Sequence, residues 1–204
     1  MVQSDVSLNE ETRELSGTKL IGVSVVFAAL AIILHPPFLP IGIPAPYAPF
    51  LVYEIWEIPL VIALLLYGIR VGIAVTFINF ISLLVFFPGQ LITGPIYNLT
   101  AIYAMMFGIY LTYHVLRDRG PVIVAWTSMI VGMTMRIGIM TIVNSATLPL
   151  PPPIGFSIPL TALPLTLVWI ALFNGTVAAY TVPLAHVVAS AVAKGTKITA
   201  WNRS

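Results

Sequence analysis

Between Leu20 and Ala193 the only charged side chains are Glu54, Glu57, Arg70, Arg117, Asp118, Arg119 and Arg136. The rest of that stretch is apolar or neutral and is interrupted mainly by proline and glycine. A soluble domain carries roughly a quarter charged residues, whereas here 8% of the 204 residues are charged and 59% are hydrophobic. Mean hydropathy is +1.01. The chain reads as an integral membrane protein. A spanning helix needs about 20 mainly apolar residues, so the length admits about five to seven spans in one polytopic domain.

The apolar runs are Lys19–Leu34, Ile55–Tyr67, Val71–Phe87, Thr93–Val115, Pro121 to about Ser145, and Leu160–Val192. Proline-rich, charge-free loops follow the first run (HPPFLPIGIPAPYAPF) and the fifth (TLPLPPPIGFSIP). A residue before proline avoids the helical region, so these loops should be extended. Pro164 and Pro183 are expected to break or kink the long last run. The second and third runs look short for spans and are expected to be tilted or enclosed by longer neighbours.

Arg13, Lys19, Arg70, Arg117, Arg119, Lys194, Lys197 and Arg203 all fall at the same end of an alternating six-span arrangement. The positive-inside rule makes that end cytoplasmic. The expected fold is therefore all-α: a six-transmembrane-helix bundle with both termini cytoplasmic. Residues 1–18 form a polar tail, 19–192 the membrane domain, and 193–204 a second tail. Ser7 and Glu10 fit a capping box for a short helix in the first tail. The polar, acidic start MVQSDVSLNEETREL does not resemble a cleavable signal peptide. The absence of cysteine excludes disulfides, thiolate metal sites and a cysteine nucleophile. No basic patch with interleaved aromatics suggests nucleic-acid binding, and the expected site contains no metal and no cofactor.

Arg136 is the basic residue that does not follow this pattern. It stands inside the fifth run, roughly 22 Å from Pro121 at 1.5 Å per residue, in the outer half of the bilayer. A charge there is a site candidate whose partner should be named. Glu54 and Glu57, in YEIWEIP, enter the second run from outside and are the nearest acids. The expectation is that Arg136 meets one of them in an outward-opening pocket; the alternative is a purely structural ion pair. Asn79, Asn98, Asn144 and Asn174, with Tyr97, are expected to share that pocket, since an amide does not face hydrocarbon. The alternative for each Asn is a single interhelical hydrogen bond. Tyr47, Phe50, Tyr53, Trp56, Tyr97 and Tyr103 gather at the outer edge, as an interfacial belt or as stacking surfaces for a flat ligand.

EIWEIPLVIALLLYGIRVGIAV followed by LITGPIYNLTAIYAMMFGIYL resembles the substrate-binding S component of energy-coupling factor (ECF) vitamin transporters, the riboflavin type above all. The matching elements are Glu54-Ile-Trp-Glu57-Ile-Pro59, the pair Gly68 and Gly72, Thr93-Gly94-Pro95, and Phe173-Asn174. Together they span Leu20 to Val188. The riboflavin group usually carries a Lys-Asn pair where this chain has Asn79-Phe80, and Gly-Glu where it has Tyr97-Asn98. It often has a lysine at the position of Val177. The resemblance implies a non-enzymatic capture subunit in the cell membrane. It would take up riboflavin or a related water-soluble vitamin outside and work with a membrane-embedded T component and two ATPase subunits. No Gly-x-x-x-x-Gly-Lys phosphate loop is present, so ATP would be hydrolysed on other chains. The T component would need a smooth face of small residues. Ser24, Ala28 and Ala31 have that spacing, although packing within the bundle would use the same spacing.

Two other readings compete. An intramembrane enzyme would need His and carboxylate ligands to converge, yet His114 and His186 fall at the opposite end from the glutamates. A structural or assembly subunit of another membrane complex would bind no ligand alone.

Overall fold

The computed structural model describes residues 17–36, 38–86, 93–116 and 118–196. The proposed capping box, Arg13, Arg117, Lys197 and Arg203 lie outside them. The described residues form six helices and one hairpin. In chain order these are α1 (Gly17–Ile33), β1 (Ile43–Ala45), β2 (Ala48–Tyr53), α2 (Glu57–Tyr67), α3 (Ile69–Phe86), α4 (Thr93–Val115), α5 (Pro121–Thr147) and α6 (Leu163–Thr196). By length and composition α3, α5 and α6 are long and apolar enough to cross a membrane, while α1 and α2 are shorter apolar helices.

Helix ends follow the local chemistry. Pro121 sits in the first turn of α5, where its missing N–H has no helical partner to lose. Gly68 closes α2 with φ 88°, a conformation that disfavours a Cβ, and this single residue turns the chain into α3. The expected break in the last run does not occur. Pro164 lies in the first turn of α6, and the helix continues through Pro183 to Thr196. A membrane-type helix tolerates such a proline because neighbouring groups take up the freed carbonyl.

The core forms around α2. Leu60, Val61, Ala63, Leu64 and Leu65 are each fully buried, so the helix is enclosed on every side. It packs mainly against α6, α3 and α1, and the other main helix contacts run α1–α3, α3–α4, α4–α5 and α5–α6. This explains its 11 residues: it is an inner helix sheltered by longer ones.

The proline-rich loop after α1 is not simply extended. It forms an antiparallel hairpin with Ile43 opposite Tyr53 and Pro44 opposite Val52, and the register shifts after Pro44. This small sheet qualifies the all-α expectation. An isolated two-stranded hairpin is marginal in water, so β2 depends on its contacts with α6. Tyr53 Oη lies 2.8 Å from Thr176 Oγ1, and its ring packs on Phe173 at 4.9 Å. Tyr47 stacks on Trp169 at 5.2 Å.

The small-residue stripe on α1 also needs correcting. Ser24, Ala28 and Ala31 are buried, and Ala28 and Ala31 belong to the central core. Their size lets α1 approach α3 and α2 within the chain, so they offer no free face to a partner subunit.

Candidate functional site

Arg136 projects from α5 into the space between α2 and α6. Its Nη2 donates to Glu57 Oε1 at 2.9 Å, and its Nη1 donates to Glu57 Oε2. Its Nε donates to Asn174 Oδ1 at 2.8 Å. Nη1 also reaches Met105 Sδ at 3.8 Å. Asn174 turns its own Nδ2 to Ile170 O at 2.9 Å, which fixes its oxygen toward the arginine. Arg136, Glu57 and Asn174 are all buried. Glu57 lies in the first turn of α2, where the helix dipole favours a negative charge. It can reach Arg136 because the hairpin precedes it: α2 starts within the bundle rather than at its rim.

A partly open cavity of about 220 Å³ lies against this cluster. Phe50, Leu51 and Val52 of β2 form one wall, followed by Glu54, Trp56 and Glu57. Asn98 of α4, Arg136 of α5, and Phe173, Val177 and Tyr180 of α6 complete the lining. Tyr180 Oη donates to the Glu54 carbonyl at 2.6 Å, tying the segment before α2 to α6. His35 stacks on Trp56 at 4.4 Å, with its Nδ1 3.9 Å from Glu54 Oε2. Burial raises the Glu54 carboxyl to about 7; the nearby Glu57 charge adds to this and a hydrogen bond from Trp56 opposes it. Burial lowers His35 to about 4, against a hydrogen bond with Asn79, so its ring is neutral at neutral pH.

Of the residues expected to share a cup, Glu54, Glu57, Asn98 and Arg136 line the cavity, and Asn174 supports it through Arg136. Asn79, Tyr97 and Asn144 do not line it. Asn79 is buried beside His35. Asn144 Nδ2 donates to Met140 O at 2.7 Å within its own helix. Tyr97 Oη lies 2.7 Å from Thr147 Oγ1, joining α4 to α5. Asn144 and Tyr97 thus find partners elsewhere in the protein, which satisfies them as well as a cavity would, whereas the buried Asn79 Oδ1 has no hydrogen-bond partner among the described residues. Of the outer aromatics, Tyr103 Oη donates to Ile73 O at 3.1 Å, away from the cavity. Trp56 is buried, not part of a belt. Val177 and Tyr180 were not anticipated as wall residues. With Phe173 they stand at i, i+4 and i+7, the spacing of one helix face. At the other end of the bundle His186 Nε2 lies 2.6 Å from Tyr113 Oη and 3.4 Å from Ser128 Oγ, remote from the glutamates.

No protein-family model matches this chain, and no curated protein matches it. A solved structure does match, that of the S component of a bacterial ECF transporter. The two chains superpose with a TM-score of 0.71 over 89% of this chain and 99% of that one, at 19% identity. At that identity the likeness establishes a shared fold.

Proposed function

We propose that this protein is the substrate-capture component of an ECF-type importer. It binds a small water-soluble vitamin or similar molecule in the cavity between β2, α2, α4, α5 and α6, for which riboflavin is the compound suggested by the sequence resemblance. The observation that carries the reading is the position of the cavity. A membrane-type bundle with a transport-component fold places its buried Arg136–Glu57–Asn174 cluster against a partly open chamber walled by a hairpin. A purely structural ion pair needs no chamber. In this reading all six helices cross the cell membrane, both termini are cytoplasmic, and the cavity opens outward. A T component and two ATPase subunits, carried on other chains, drive release inside. Asn98, Glu54 and the aromatic wall contact the ligand, while Arg136, Glu57 and Asn174 shape its floor.

The test is to purify the full chain and record its native mass spectrum and visible absorbance. A small molecule should accompany the protein, and a flavin would colour it yellow. The reading fails if no small molecule copurifies or rebinds and no T component associates.

A further inference from the structure

Resting on the proposal that this cavity captures a solute, we propose that it is built for a compact organic cation: a protonated nitrogen carried on a small apolar or flat body. The argument begins with the capacity left on each charged group. A guanidinium has five N–H donors. Four of those on Arg136 are directed at Glu57, Asn174 and Met105. One N–H remains, so an anionic ligand could gain a two-point contact only by displacing Glu57, which would leave that carboxylate unpaired in the interior.

Glu54 is in the opposite position. It lines the cavity with its side chain 22% exposed. Its carboxylate offers about four acceptor sites. Trp56 engages one, and His35, at 3.9 Å, is beyond hydrogen-bond length. With Glu54 ionised, as at pH 8, the lining holds two carboxylates and one guanidinium, which is one negative charge in excess. The surrounding wall suits a cation too. Trp56, Phe173 and Tyr180 line the same space, and aromatic faces attract ammonium groups within about 6 Å. Val177 adds no charge. At about 220 Å³ the chamber is smaller than the roughly 300–1,000 Å³ of sites for drug-sized ligands, so the body of the ligand is compact.

The experiment uses three probes of one shape on the full chain in detergent at pH 8, read by calorimetry: benzylammonium, benzyl alcohol and benzoate. Benzylammonium should bind at least about tenfold tighter than benzyl alcohol, a difference of about 1.4 kcal/mol, with benzoate weakest. Glu54→Gln should bring benzylammonium to the level of benzyl alcohol, and Glu54→Asp should keep the ranking. Val177→Trp, which fills the chamber, should abolish binding of all three. Equal or tighter binding of the alcohol or benzoate, a preference that survives in Glu54→Gln, or no binding of any probe overturns the inference. If the neutral or anionic probe wins and Val177→Trp still abolishes it, the capture reading stands and only the cation is wrong. If benzylammonium binding survives Val177→Trp, the site lies elsewhere and both readings fail.

Discussion

Arg136 and Glu57 are both buried, so each is tolerable only because of the other. Removing one partner leaves an uncompensated interior charge, and a buried pair broken in this way typically loses about 3–5 kcal/mol. Arg136→Ala is therefore expected to be substantially less stable. The double variant Arg136→Met, Glu57→Leu should recover most of that loss in denaturant unfolding in detergent, yet still bind its ligand poorly. Asn174→Ala, which strands the Arg136 Nε–H, should cost about 1–3 kcal/mol. Glu54 and His35 respond to pH in opposite senses. Burial raises Glu54, so the folded chain keeps a proton between pH 4.5 and about 7 that the unfolded chain has lost. Its contribution favours the fold at low pH and disappears as pH rises through about 7. Burial lowers His35, so the unfolded chain takes up a proton between 6.5 and about 4 that the folded ring refuses. That contribution is present above 6.5 and lost as pH falls toward 4. The two largely cancel where their windows overlap. Melting curves should therefore show His35→Gln more stable at pH 5 than at pH 8 by about 2 kcal/mol, and Glu54→Gln the reverse. Parallel pH profiles in the wild type and both variants would show that neither group is perturbed by burial.

At the level of helices, the tightest approach is that of α4 and α5. A Cβ at Gly108 would meet Gly132 Cα and Val131 O, each at 2.8 Å, and both are backbone atoms that cannot swing aside. Gly108→Ala should cost about 1–3 kcal/mol by overpacking. Gly138, also on α5, has nothing within 4 Å of its Cβ position. Gly138→Ala should be neutral or stabilising by up to about 1 kcal/mol, and the contrast is measurable by thermal unfolding of the two variants side by side. These crossings also show which parts of the fold could be read from sequence. Thr93–Val115 and the start of α5 at Pro121 match the apolar runs because proline, glycine and charge mark their ends. The hairpin could not be read, because Pro44 and Pro49 obscure the alternation that identifies a strand, and β2 is held by α6, distant in sequence. The meeting of Arg136 with Glu57 was legible because so few charges were available to pair. Asn79, Asn144 and Tyr97 were misplaced because a helix that is apolar all round carries no pattern showing which way a single polar side chain turns.

The whole molecule presents a wide apolar exterior. Ile21, Val25, Phe77, Val85, Phe107, Trp126, Ile142, Leu165, Val168 and Val187 are all exposed. A continuous surface of this kind is far larger than soluble monomers expose, and lipid is the solvent that suits it. Charge marks one end: Arg70, Arg119 and Lys194 are exposed there, at the ends of helices away from the hairpin and the cavity. The arrangement predicts an orientation, because translocation retains Lys- and Arg-rich ends in the cytoplasm. Since the 204 residues include no cysteine, single-cysteine labelling of this sequence is free of background. Phe50→Cys on β2 and Pro152→Cys in the loop after α5 should react with a membrane-impermeant maleimide in intact cells. Arg70→Cys and Lys194→Cys should react only after permeabilisation. The reverse pattern would turn the cavity toward the cytoplasm, where a capture component for uptake could not meet its solute. Labelling of all four positions from one side would break the six-span arrangement itself, because the link from α2 to α3 and the end of α6 must lie across the membrane from the hairpin for the Arg136 cluster to be reached from outside.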